Sequence, residues 1–192
     1  MSDFAFYFET GWQHIISWDA LDHLLFVVAL AAIYLLPNWK HVLILVTAFT
    51  IGHSLTLALS VLDIIRINEK WVEFLIPCTI VITAFLNFAI KDFAPLSLRL
   101  NYFLALFFGL VHGMGFANII RFMLVKGQNI ALPLISFNLG LEAGQIAVVA
   151  LILLLSYIVV NKLKLPRKWW VWGLSFMAIL IGLNMVRERW PW

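Results

Sequence analysis

Charge is scarce in this chain: only 12% of its 192 residues are Asp, Glu, Lys or Arg, while 64% are hydrophobic and the mean hydropathy is +0.99. Soluble domains carry about 25% charged residues, so a water-soluble globule is excluded. Cysteine is nearly absent too. The single Cys78 rules out an internal disulfide framework, a multi-cysteine zinc site and an iron–sulfur centre. It lies in an apolar run and reads as a small buried hydrophobe. No loop is long enough to fold alone, so residues 1–192 form one transmembrane domain. The net charge of +3 comes from short loops next to apolar runs rather than from a basic face, which excludes a nucleic-acid partner. The opening stretch MSDFAFYFETGWQHIISWD lacks a basic n-region and an apolar h-region and does not read as a cleaved signal peptide. No internal repeat is present, and nothing in the sequence encodes an oligomeric state.

What the chain does have is long apolar runs. Several exceed the eighteen residues needed to cross a hydrocarbon layer about 30 Å thick. The pattern predicts an all-α bundle with six spans, about 21–37, 41–62, 72–91, 101–121, 132–160 and 169–186, in contact with membrane lipids. Connectors are punctuated as expected: PNWK, RINEK, KDFAPLSLR, KGQ and KLKLPRK. All nine tryptophans fall in the N-terminal segment, the tail or near span ends, as in the aromatic belts of membrane interfaces. Residues 1–19 are aromatic but too polar to cross, and read as a short interfacial helix or a re-entrant segment. The N-terminal segment has no Lys or Arg, whereas NKLKLPRK between spans five and six has four. This places the N- and C-termini outside.

The few polar residues inside the spans are not scattered. Six spans alternate in direction, so depth follows from distance to the span ends. His14, Asp22 and His23 stand at the start of span one, His53 late in span two and His112 late in span four. Asn138, Glu142 and Gln145 stand early in span five. All of these fall in one leaflet; Asn87 alone does not. Asn138, Glu142 and Gln145 are spaced i, i+4, i+7 and share a helix face. Gly140 and Gly144 beside them admit a close neighbour. Thr47, Thr50 and Ser54 make a polar stripe next to His53, and Asp19 is four residues before His23. Each residue also has a plain reading. A lone histidine can be a hydrogen-bonded packing residue, Glu142 can be neutral and bonded to Asn138, and Asp22 or Asp19 can cap a helix. Glu73 and His41 read as interfacial. Ionisable groups inside a membrane are costly, however, and face a cavity or one another. Imidazoles and carboxylates converging from separate helices suit a divalent transition metal such as zinc, nickel or iron(II). His14, Asp22, His23, His53, His112 and Glu142 are therefore candidate ligands, supported by Asp19, Ser54, Asn138 and Gln145.

The stretches GWQHIISWDALDHLLFVVAL, FTIGHSLTLALS, VEFLIPCTIVITAFLN, FGLVHGMGFA and NLGLEAGQ together resemble the HupE/UreJ family of small bacterial membrane proteins, as an outlying branch. They run in order through the first five spans. The resemblance implies a nickel or cobalt permease of the bacterial inner membrane. The family's first-span histidine and Asp-His pair matches His14, Asp22 and His23, and a later His- and Glu-containing motif has its counterpart in His112 and Glu142. Two other functions stay open. One is an intramembrane zinc-dependent hydrolase of a lipid or amide substrate, similar to membrane ceramidase-like enzymes. There the metal would lower the pKa of bound water toward about 7, with Ser54, Asp19 or Glu142 as catalytic groups. The other is a structural or assembly protein whose polar cluster only ties helices together. Transport is the reading carried forward; an enzyme is the alternative.

Overall fold

The computed structural model describes residues 2–90, 98–123 and 130–192, and every regular element among the described residues is helical. Eight α-helices follow in order: α1 (Asp3–Ile16), α2 (Leu21–Ala31), α3 (Trp39–Val61), α4 (Glu69–Ala89), α5 (Leu98–Gly115), α6 (Ala117–Met123), α7 (Ala131–Ser156) and α8 (Arg167–Glu188). The connectors KDFAPLSLR and KGQ fall on residues 91–99 and 126–128, which lie largely outside the described ones.

Among the described residues, four helical stretches are long and apolar enough to cross a membrane: Leu36–Val61, Glu69–Ala89, Ala131–Lys162 and Arg167–Glu188. They coincide with the expected spans two, three, five and six. The other two expected spans take a different form. Instead of one helix over 21–37, α2 stops at Ala31, and a 3-10 turn over Leu36–Asn38 carries Pro37 at its start. With eleven residues, α2 is about 16 Å long, too short to cross alone. It passes the length and apolarity test only together with α1, as a pair bent by 65°. The expected span 101–121 divides at Gly115 into an apolar helix, Asn101–Gly115, and the short α6. The described residues thus form an all-helical bundle with four candidate spans, or five if the bent pair counts as one, and not the six expected.

The bundle is organised around three closely packed pairs: α3 with α5, α1 with α7, and α4 with α8. Glycine sets the first two. A Cβ at Gly109 of α5 would stand 2.1 Å from the Phe49 carbonyl oxygen of α3, and one at Gly52 of α3 would stand 2.3 Å from that of Leu106. The α1–α7 contact has the same reciprocal form, with Gly11 facing Phe137 O and Gly140 facing Phe8 O, each at 2.0 Å. The segment expected at the interface is therefore docked along α7 by backbone-to-backbone contact. Close approach of this kind drives association where apolar burial from water contributes little.

A core of Phe26, Phe49, Leu57, Ile80, Phe137 and Leu141 joins the pairs. Asn87, isolated in the sequence pattern, ties three helices: its Nδ2 donates to Ala29 O of α2 (2.9 Å) and to Ser175 Oγ of α8 (3.0 Å). Asn101 Nδ2 donates to the Tyr34 hydroxyl at 3.0 Å.

A methyl group at Gly109 or Gly140 has nowhere to go without separating two backbones. Overpacking typically costs about 1–3 kcal/mol, so Gly109→Ala and Gly140→Ala should each lower the thermal midpoint of the detergent-purified protein by several degrees. Gly173→Ala is the control, because a Cβ there meets nothing within 4 Å. Equal midpoints for all three variants would refute the close-approach account.

Candidate metal centre

Four histidines from four helices meet beneath the bent α1–α2 pair. His14 sits in the last turn of α1 and His23 in the first turn of α2. His53 follows Gly52 on α3 and His112 precedes Gly113 on α5, so the glycines that bring these helices together also bring the two rings inward. His53, His112 and His23 are buried, and His14 is partly so. Ring centroids lie 4.4 Å apart for His14–His23, 5.1 Å for His23–His112 and 5.9 Å for His23–His53.

Their polar atoms are left unused in a way that packing alone does not account for. Nε2 of His14, His23, His53 and His112, together with Nδ1 of His53, is buried with no hydrogen-bond partner. Each such atom forfeits its hydration, at about 1–3 kcal/mol. The other nitrogens of two rings are engaged. His112 Nδ1 lies 2.8 Å from Phe108 O and His23 Nδ1 lies 2.9 Å from Asp22 Oδ1. Both partners accept, so in each neutral ring Nδ1 carries the proton and the Nε2 lone pair faces inward. Outer partners of this kind fix the tautomer and orientation of metal-ligating histidines. One ligand atom each of His14, His23 and His53 lies within 4.8 Å of the others. Tetrahedral nitrogen ligands at about 2.05 Å from a metal stand about 3.4 Å apart, so small side-chain shifts close the set. Asn138 reaches toward His53 without completing a hydrogen bond, and its Oδ1 is also unpartnered.

Phenylalanines wall the cluster. Phe116 lies 4.0 Å from His14 between ring centroids and stacks on Phe137, and Phe49 stacks on His53. Beside the cluster, a cavity of about 550 Å³ is lined by His14, Asp22, His23, Glu73, His112, Phe116 and Arg189, among others. His53 is not part of that lining and stands behind the others.

The sequence reading joined six candidate ligands, which the fold separates into two groups. His14, His23, His53 and His112 converge. Asp22 is with them, but it accepts from the His23 ring, from the His23 backbone N–H at 2.8 Å and from Arg189 Nη1 at 3.0 Å. It bonds His23 in the first turn of α2 and lines the same cavity as His14, His23 and His112. Glu142 stands apart. Its Oε1 accepts from Thr47 Oγ1 at 2.7 Å, in a groove between α3 and α7 that also exposes Ser54 and Asn138. Gln145 Oε1 accepts from Thr50 Oγ1 at 2.8 Å, so the two polar stripes form a zipper between α3 and α7. Ser54 Oγ donates to Thr50 O at 2.7 Å. The side chain of Asp19 lies outside the described residues. Sequence reasoning missed Arg189, which is separated from Asp22 by 167 positions and lies in a tail that reads as ordinary interfacial charge.

An apolar helical bundle with long membrane-crossing stretches and a cluster of histidines beside a cavity defines an integral membrane protein in which His14, His23 and His53 could hold a metal ion. The model of the HupE / UreJ protein family matches residues 1–190, and the chain belongs to that family. No curated protein and no solved structure matches it. The family is linked to nickel and cobalt handling and suggests a permease-like role in the membrane.

The zipper has a direct test. Thr50→Val keeps the side-chain shape but leaves the buried Gln145 oxygen without its donor. Membrane interhelical hydrogen bonds are worth about 0.6 kcal/mol on average and up to about 1.7. Thr50→Val should therefore destabilise the purified protein by about 1 kcal/mol, read from unfolding in detergent. Thr47→Val, at the more exposed Glu142 pair, should have a smaller effect. The reverse order would contradict the burial assignment.

Proposed function

We propose that this protein is a permease for a divalent transition metal of the nickel or cobalt type, with the ion as its cargo. The ion is taken from the cavity and held by His14, His23, His53 and His112. The observation that carries this reading is the set of inward, unpartnered imidazole nitrogens in an apolar surround. Neutral imidazole is a good ligand for nickel, cobalt and zinc alike, and the phenylalanine wall lowers the local dielectric around it. Asp22 supports His23 from behind, and Glu142 has no place among the ligands. The cavity supplies the entrance from water. In this reading the bent α1–α2 pair and the α5–α6 stretch complete a six-fold crossing of a bacterial inner membrane, with both termini outside. The hydrolase alternative needs Ser54, Asp19 or Glu142 close to the histidines; Ser54 and Glu142 open onto the other groove.

Elemental analysis of the purified protein tests the site. Wild type should carry nickel, cobalt or zinc near one equivalent after loading, while His23→Ala, His53→Ala and His112→Ala should each lose most of it. Glu142→Gln should keep it. Proteoliposomes of wild type should take up the loaded metal, and His23→Ala and His112→Ala should abolish uptake. Metal retained by all three histidine variants would overturn the site; metal bound without uptake would overturn the permease.

A further inference from the structure

Arg189 follows α8 directly, and its guanidinium lines the cavity and meets Asp22 there, with Nη1 donating to Oδ2 at 3.0 Å. The second Asp22 oxygen is the one that accepts from His23 Nδ1. One carboxylate is thus shared between an imidazole of the cluster and a fixed cation. The guanidinium does not arrive there by chance contact of a loose tail. Arg189 N–H donates to Met185 O at 2.9 Å. The next residue, Trp190, sets its ring edge-on to Phe74 at 5.2 Å, and Trp192 meets Trp71 at 5.2 Å in the same manner. Both partners lie near the start of α4, so two aromatic pairs clasp the segment that carries the arginine.

Electrostatics assigns this arrangement a consequence. An Asp–His pair alone presents net negative charge behind a ligand and strengthens its hold on a dication. A guanidinium on the same carboxylate cancels that charge and leaves the pair neutral on the cavity wall, where an incoming cation meets it. Such interactions are strong in a partly buried site. Conduction also requires that binding stay weak enough for the ion to leave.

We propose that Arg189, held by the Trp190 and Trp192 contacts with α4, is a positioning residue that sets the affinity of the histidine site: it neutralises Asp22 and keeps the site weak enough to release its ion. This rests on the metal reading above.

The test is titration of the detergent-purified full chain with nickel or cobalt in competition with a chromophoric chelator, together with uptake by proteoliposomes. Arg189→Gln should bind metal more tightly, by about tenfold for one partly screened charge, and should show a lower half-saturating concentration together with a lower maximal uptake rate. A merely structural lesion lowers the rate without lowering half-saturation. Arg189→Lys, which keeps the charge, should restore the weaker binding. Trp190→Ala, which frees the clasp, should shift affinity in the direction of Arg189→Gln. Unchanged or weaker binding by a well-folded Arg189→Gln would overturn the inference while leaving the metal site standing. Should that variant not fold, Trp190→Ala decides: tighter binding supports the inference and unchanged binding overturns it. A wild type that binds no metal overturns the metal reading and this inference with it.

Discussion

A neutral imidazole has one N–H to donate and one lone pair to fill, and in an apolar bundle no solvent stands ready to do either. His112 and His23 meet half of that demand, through Phe108 O and Asp22, and leave the other half pointing at each other's neighbours. His14 and His53 add further unpartnered nitrogens to the same small volume. A bundle that needed polar ties alone has a cheaper solution, and this one uses it elsewhere. Asn87 joins α2, α4 and α8 with both contacts at ordinary hydrogen-bond length, and Asn101 bonds Tyr34. Thr50 and Gln145 do the same between α3 and α7. The cluster therefore differs in kind from the protein's structural polar contacts, and it is the feature the surrounding packing has to hold in place.

Holding it in place falls to the glycines. His53 is adjacent to Gly52 and His112 to Gly113, and a Cβ at Gly113 would stand 2.1 Å from the His53 carbonyl oxygen. The backbones of α3 and α5 are thus in contact at the site itself, which fixes the two rings relative to each other with little freedom of helix rotation. The α1–α7 pair does the equivalent for His14, three residues beyond Gly11. His23 has no such glycine, and its orientation comes from Asp22. Two close helix pairs position His14, His53 and His112, and the Asp22 carboxylate, which also meets Arg189, orients His23.

Much of this was legible in the sequence. Span direction alone brought His14, His23, His53 and His112 to one depth, and the α-helical period correctly put Asn138, Glu142 and Gln145 on one face. What periodicity does not give is the element that face meets. Glu142 and Gln145 lie against Thr47 and Thr50 of α3, and of that stripe only Asn138 reaches toward a histidine, His53. Asp22 was read as a ligand because a carboxylate beside a histidine has the right chemistry. What the sequence does not show is that both of its oxygens are already engaged, one by His23 and the other by Arg189. The count of spans was blurred for a related reason: hydropathy averages over 21–37 and 101–121 and does not register the breaks after Ala31 and at Gly115. Arg189 had no local signal at all, because its meaning depends on contacts with Asp22, and those of its neighbours with Phe74 and Trp71.

Those breaks have a physical role beyond the span count. The 65° bend separates the helices carrying His14 and His23, so the two rings approach from different directions instead of following one another along a single face. Two histidines nine positions apart on a straight helix would be about 13 Å apart along its axis; here their ring centroids are 4.4 Å apart. The interruption at Gly115 acts similarly on the other side, ending α5 just after His112 and letting Phe116 swing onto His14. A continuous helix at either place would be a better membrane span and a worse ligand scaffold. The two segments that depart from simple spanning helices are the ones that hold three of the four histidines, which ties the irregularity of the fold to the site rather than to any weakness in the apolar pattern.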